Sequence, residues 1–397
     1  LRILNGSNNK IKTNLAHLTL LPQELKVALV HDWYTGIGGG EKVSREIIGL
    51  FPQADVFSLV DFFDDENRRF ILHGKRPKTS FIQRFPFAKK KYRNYIHFFP
   101  YAIEQFDLTG YDVVISSSSA VAKGVLTSCN QLHICYCHSP MRYAWDLYYQ
   151  YTSEKKLHSG LKAWVFKYVM HHIRIWDYVS SHRIDHFVAN SNHISRRIGK
   201  VYNRTSDVIY PPVDIESFDL SEKKDDYYLT VSRLVHYKRV DLIVEAFREM
   251  PDKQLIIIGE GPEFSRLKKM ATKNIRLLGY KRLDEMKTYL QKAKAFVFAA
   301  EEDFGITPVE AQSCGTPVIA YGKGGILETV LEGKTGLFFK EQVAASIRES
   351  ILRFEREQLQ YTPAQIREHA RQFDKSKFHT HFKSFVLDKY EQWKKCR

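Results

Sequence analysis

Apolar runs of four to six residues recur along this chain, separated by longer stretches in which apolar residues fall three or four apart. The first pattern is that of a strand buried on both faces and the second that of a helix with one buried stripe; their alternation predicts parallel sheets covered by helices on both sides. In the second half the alternation is strict. Tyr228–Val231 is followed by a helix with Val240, Ile243, Val244 and Phe247 on one face, then by a strand Gln254–Ile258, a helix from Pro262, a strand Ile275–Leu278 and a helix from Asp284. The strand Ala295–Ala300, a helix opening near Pro308, and strands at Pro317–Ala320 and Gly336–Phe339 complete it. The first half is less regular, with strands at Val27–Val30, Val56–Leu59, Val113–Ile115, His133–Tyr136 and His186–Ala189.

An α/β protein of two Rossmann-like domains is therefore predicted, 26–212 and 213–373, with the linker at Tyr210–Asp214 just before the polar run Ser221–Asp226. Residues 374–397 read as a C-terminal helix with Phe378, Phe382, Phe385 and Tyr390 as candidate buried contacts. Residues 1–25 hold Asn8, Asn9, Lys10 and Lys12 but no continuous apolar segment and no small-residue cleavage site. A poorly ordered extension is expected there rather than a signal peptide.

Length and charge sharpen this picture. A chain of 397 residues exceeds what one hydrophobic core usually holds. Sixty Lys and Arg against 45 Asp and Glu give a net charge of +15, which suits phosphorylated substrates, nucleic acid or an anionic membrane surface. No apolar run approaches the roughly 20 residues needed to span a bilayer. Of five cysteines, Cys135 and Cys137 lie two apart on a buried strand, as reduced cytoplasmic thiols would. His138 follows them, but neither a CxxC pair nor a second ligand pair is near, so a metal site is not expected. No two aspartates lie two positions apart, so the simplest metal–phosphate motif is missing too.

The densest chemistry lies in Glu301–Glu310, where Glu302 and Glu310 flank a glycine turn joining a strand to a helix. Ligands of open α/β sheets bind beyond such strand ends. Gly305 lets backbone N–H groups approach an anion, and the helix start aims its positive end there. Glu310 then either accepts hydroxyls of a bound nucleotide or closes a capping box with Thr307 as N-cap and Pro308 as first helical residue. One crossover earlier, Arg233 and Lys238 stand five apart after a strand, a spacing that suits a diphosphate clamp, with a solvated basic loop as the alternative. Gly36–Glu41 follows the first strand and opens a helix, as a phosphate loop or a plain tight turn would, but matches neither GxGxxG nor GxxxxGK[ST]. His138, Arg142 and Asp146 form a polar group at another strand end. Between Arg76 and Lys91, basic residues including Lys89, Lys90 and Lys91 alternate with Phe81, Phe85 and Phe87. That mixture fits an anionic membrane interface, single-stranded nucleic acid, or core aromatics beneath a solvated basic face.

Arg233 with Lys238, Glu302 with Glu310, and the Gly38-Gly39 loop together resemble the retaining GT-B glycosyltransferases of family four, over residues 26–394. Tyr136–Tyr143 and Glu302–Ala320 are most similar to the bacterial mannosyltransferases that build O-antigen lipopolysaccharide and exopolysaccharide from GDP-mannose. The resemblance implies two Rossmann-like domains facing across a cleft and a C-terminal helix crossing back to the first. It implies that Arg233 and Lys238 hold the donor diphosphate, Glu310 the ribose, and Glu302 with the backbone of Phe304, Gly305 and Ile306 the hexose. His138 would lie beside that hexose, Gly38 and Gly39 near the phosphate, and Gly279 near the base. Lys89–Lys91 and Arg142 would face the acceptor and the membrane. The expected activity is metal-independent transfer of mannose from GDP-mannose to a lipid-linked saccharide, peripherally on the cytoplasmic face of the membrane, with no cofactor and no nucleic-acid partner. Residues 1–25 depart from the family, whose first strand lies near the start. A UDP-hexose donor, a nucleotide-sugar epimerase and, from another class, a basic nucleic-acid-binding protein are the competing readings.

Overall fold

The computed structural model describes residues 25–154, 159–357 and 360–396; the proposed extension, Leu25 apart, lies outside them. Thirteen strands form two sheets among the described residues. The first sheet has the order β3-β2-β1-β4-β5-β6-β7. Its strands are β1 (Val27–His31), β2 (Asp55–Ser58), β3 (Lys78–Thr79), β4 (Val113–Ser118), β5 (Leu132–Cys137), β6 (His186–Ala189) and β7 (Asp207–Val208). The second has the order β10-β9-β8-β11-β12-β13. It is built from β8 (Tyr228–Val231), β9 (Leu255–Ile258), β10 (Ile275–Leu277), β11 (Ala295–Phe298), β12 (Val318–Tyr321) and β13 (Gly336–Phe339). Pairing is parallel, with Leu29 beside Ile115 and Ile115 beside Ile134 in the first sheet, and Val297 beside Ile319 in the second.

The apolar runs are strands because both faces of each sheet are covered. In the second sheet, Tyr228, Ile257, Val297 and Ile319 belong to one core cluster, whereas their neighbours Leu229, Ile256, Phe296 and Val318 belong to another. Alternate residues thus feed opposite faces, so apolar residues follow one another along these strands without a polar alternation. The chain falls into two compact units. One holds the described residues up to Val188, with 198–206 and the chain from His379; the other holds 189–197 and 207–378. The C-terminal helix Lys375–Lys395 is as expected for Phe378, Phe382 and Tyr390, which are buried, but Phe385 is only half-buried and Val386 takes a core place instead. In the first unit its His379 Nε2 lies 2.7 Å from Glu46, and the Phe382 ring meets that of Tyr136 at 5.8 Å.

The basic aromatic segment is mostly core. Ile82, Tyr92 and Phe99 are buried and Phe81, Phe85 and Tyr95 pack against the same cluster, while Lys89, Lys90 and Lys91 are exposed. Phe87, 78% exposed, is the ring turned furthest into solvent, with Phe98 exposed to a lesser degree.

His133 is fully buried in β5, where its Nε2 sits 2.9 Å from the Ser116 hydroxyl. Burial pushes its pKa down to about 3, so the folded ring stays neutral while the unfolded ring takes up a proton near pH 6.5. Stability from this group is full above that range and falls by up to about 1.4 kcal/mol per pH unit below it. Urea denaturation at pH 7 and pH 5 should show the loss, and His133→Gln should flatten this part of the profile.

Candidate active site

In the second sheet the chain steps outward from β8 to β10, then returns to the other side of β8 at β11 and steps outward again to β13. The loops after β8 and β11 therefore part in opposite directions, and the crevice between them is the expected ligand position. Both loops carry the residues predicted from sequence. After β8, Ser232 and Leu234 N–H groups donate to Ile258 and Glu260 carbonyls at 3.1 and 2.8 Å, which fixes the loop against the end of β9. Arg233, between them, is exposed and makes no ion pair among the described residues. A short 3₁₀ turn His236–Lys238 and a left-handed Arg239 lead into the helix Val240–Arg248. Lys238, mostly buried, forms an ion pair with Glu302 from the loop after β11. The two loops thus meet through one cation and one carboxylate, with Arg233 alongside.

Two glycine pairs hold this arrangement. A Cβ at Gly259 or Gly261 would stand 1.9 and 2.2 Å from the carbonyl oxygens of Ser232 and Leu234, and both have positive φ. A Cβ at Gly325 would stand 2.2 Å from the Asp303 carbonyl oxygen, and Gly325 N–H donates to Glu302 at 2.8 Å. Backbone packs on backbone at both places, so no side chain fits. Gly279 accepts from Gly259 N–H at 2.9 Å, which places it beside the same loop. The Gly-x-Gly-Pro after β9 and the paired glycines after β12 were the unused sequence signals. Asp303 is fixed as well, its carbonyl accepting from Ser191 at 2.6 Å and its carboxylate from Arg197 at 3.0 Å.

The helix after β11 begins at Ile306, two residues before Pro308, with Gly305 as N-cap at φ 92° and no side-chain cap. Thr307 is therefore inside the helix, and the capping-box reading of Glu310 is excluded. The glycine supplies the left-handed turn that lets the helix start two residues early. Glu310, 5% exposed, is in the second turn of this helix. Phe304 points into the core with Val309 and Phe373, so it can offer a ligand only its backbone.

The remaining candidates lie in the first unit. The Glu41 carboxylate accepts from Gly38 N–H at 2.9 Å where the helix Gly39–Leu50 opens, which occupies that N–H. Gly40 brings the helix start against two imidazoles, its Cβ position 3.4 Å from His31 and 3.5 Å from His138. His31 Nδ1 is 3.1 Å from the Ser117 carbonyl, which can only accept, so Nδ1 carries the proton. The Ser117 hydroxyl lies 3.1 Å from His31 Nδ1 and 2.8 Å from His138 Nε2, so one serine links the two imidazoles. Burial, and then the neighbouring His31, push the His138 pKa down to about 3, so it is neutral at pH 7. Asp32 holds this turn from below, accepting from the N–H groups of Ser119, Ala120, Val121 and Ala122 at 2.6, 2.9, 2.8 and 2.7 Å. Ser117 and Asp32 were missed; four consecutive serines at a strand end were the signal. Arg142 is half-buried. Among the described residues no three His, Cys, Asp or Glu side chains gather as a metal site.

Residues 37–217 match the model for Glycosyltransferase Family 4, and residues 214–373 that for Glycosyl transferases group 1. The chain is similar to an uncharacterized glycosyltransferase of Methanocaldococcus jannaschii, 30% identical over 173 residues, 42% of this chain and 49% of that one. It is also similar to the GDP-mannose-dependent monoacylated alpha-(1-6)-phosphatidylinositol monomannoside mannosyltransferase of Corynebacterium glutamicum, 38% identical over 121 residues, 27% of this chain and 32% of that one. The matched stretches thus span 49% and 32% of those relatives. An Anabaena protein solved with UDP-glucose has the same fold, with a TM-score of 0.68 at 16% identity over 91% of this chain and 99% of that one. Two parallel Rossmann-like sheets give the chain the GT-B fold of glycosyltransferases, with a segment that matches Family 4 followed by one that matches group 1.

Proposed function

We propose that the protein transfers mannose from GDP-mannose to a hydroxyl of a lipid-linked saccharide, with retention at the anomeric carbon, working peripherally on the cytoplasmic face of a membrane. The observation that carries this reading is the set of Arg233, Lys238 and Glu302 at the strand ends where the second sheet changes direction. A departing diphosphate needs positive charge at that position, and two cations plus the N-terminus of Ile306–Ser313 supply it without a metal. Glu302 fixes Lys238 so that the ammonium is in place before the donor arrives. The bond from the anomeric carbon to the phosphate oxygen breaks with its electron pair passing to GDP. The acceptor oxygen bonds on the same face, and its proton goes to the departing phosphate oxygen.

The likeness to a GDP-mannose-dependent enzyme supports mannose, and the likeness to a structure holding UDP-glucose supports a UDP-hexose as the second choice. Proton NMR of the slow hydrolysis of GDP-mannose tests the reaction without an acceptor. The α anomer of free mannose should appear first; the β anomer would exclude retention, and an epimerised sugar nucleotide would point to an epimerase.

Glu310→Gln should raise the donor KM about tenfold with little change in kcat, the loss of one charged hydrogen bond to ribose. A lowered melting temperature with unchanged KM would make Glu310 a core group only.

A further inference from the structure

The 21-residue helix Leu161–Ser181 of the first unit is built with two apolar faces. One is buried, through Ala163, Met170 and Ile173, and packs on the first unit's core. The other, with Leu161, Trp164, Val165, Tyr168, Ile175 and Val179, is exposed. At about 100° per residue those six fall within an arc of about 100°, along a rod about 30 Å long. Leu161 and Trp164 are 77% and 63% exposed, so these are whole side chains in water rather than edges of a core. A contiguous apolar face of this kind marks a binding surface.

Charge identifies what covers it. Lys162 and Lys167 flank the stripe on either side, His171 and His172 are exposed with it, and the helix has no exposed acid. Its single carboxylate, Asp177, is fully buried against Lys123. Two copies of the helix set face to face would bring cation to cation with no carboxylate to pair. An anionic surface meets the cations and takes up the apolar stripe at once, with Trp and Tyr at the level where headgroups give way to chains. No helix of the described residues is long and apolar enough to cross a membrane, so the helix would lie in the surface.

We infer that the exposed face of Leu161–Ser181 docks the protein on a bilayer containing anionic lipid. This surface differs from the one expected at Lys89–Lys91, whose neighbouring rings mostly turn inward. It gives the proposed lipid-linked acceptor a place to be met, but vesicle binding can be read without donor or acceptor.

The test is sedimentation with vesicles of phosphatidylcholine alone and with roughly a third phosphatidylglycerol. The full chain should bind the anionic vesicles, with a blue shift of tryptophan fluorescence that Trp164→Ser removes. Trp164→Ser/Tyr168→Ser should weaken binding about tenfold or more while circular dichroism and nucleotide-induced stabilisation stay as in the parent. Unchanged binding in that variant, or binding lost only in Lys89→Gln/Lys90→Gln/Lys91→Gln, would overturn the assignment. So would absence of vesicle binding, or a solution dimer abolished by the double substitution, which would make the stripe an interface between copies. Loss of nucleotide binding in the parent would instead count against the proposed transferase reading and leave the docking result standing.

Discussion

Lys238→Ala should lower kcat at saturating GDP-mannose by about a hundredfold to a thousandfold, the usual effect of removing a group that stabilises charge developing on a leaving atom. The ammonium sits between the two loops at the switch point, held by Glu302, so its removal also leaves a mostly buried carboxylate without its cation. That carboxylate would then repel the phosphate. Lys238→Ala/Glu302→Gln should therefore recover part of the donor affinity that Lys238→Ala loses, but little of kcat. Arg233→Ala, at an exposed position with no ion pair among the described residues, should lower kcat with the fold unaffected. Unchanged kcat in both single variants would remove the diphosphate clamp.

Asp177→Ala should cost about 3–5 kcal/mol of stability, the second large effect. Its carboxylate pairs with Lys123 and accepts from Trp145 Nε1 at 2.7 Å and Tyr202 hydroxyl at 3.0 Å, with Asp177 and Lys123 both out of solvent. Removal strands the ammonium and two further donors. Adding Lys123→Met should restore only part of the loss, because Trp145 and Tyr202 remain without an acceptor. Trp145 belongs to the segment that follows His138, so the same network steadies that end of the first unit. Urea denaturation of the two variants measures both effects; a loss below about 1 kcal/mol for Asp177→Ala would show that the network is not a major source of stability.

How far sequence pattern reaches is clear from particular elements. His186–Ala189, Tyr228–Val231 and Gly336–Phe339 have the bounds their sequence pattern predicts, because a strand covered on both faces is a compact, mainly apolar run set between polar flanks. The two-residue strands β3 and β7 leave no pattern long enough to register. Proline misplaced the helix after β11: Pro308 tolerates the first helical turn at more than one position, and the left-handed Gly305 decided the start. Arg233, Lys238 and Glu302 were legible because charged residues at the ends of parallel strands stand out from apolar surroundings. The glycines at 259, 261 and 325 were not, since what makes them necessary is a backbone from a distant segment lying within 2.2 Å of where a Cβ would be. Ser117 escaped for the same reason: its hydroxyl matters through two histidines far away in the chain. The stripe on Leu161–Ser181 has ordinary helical periodicity on both sides, and only burial tells its two apolar faces apart.

The central claim is that the second unit binds a nucleotide sugar through the cations at its switch point. Thermal stabilisation of the parent protein and of Lys238→Ala by GDP, UDP, ADP, GDP-mannose, UDP-glucose and NAD, without added metal, tests it most directly, since a ligand that binds only the folded state raises its melting temperature. Stabilisation of the parent by GDP and GDP-mannose, and much less of Lys238→Ala, is the expected result; a UDP-selective shift would change the donor and keep the site. No shift with any of the sugar nucleotides or their diphosphates, or an equal shift in both proteins, would contradict the account.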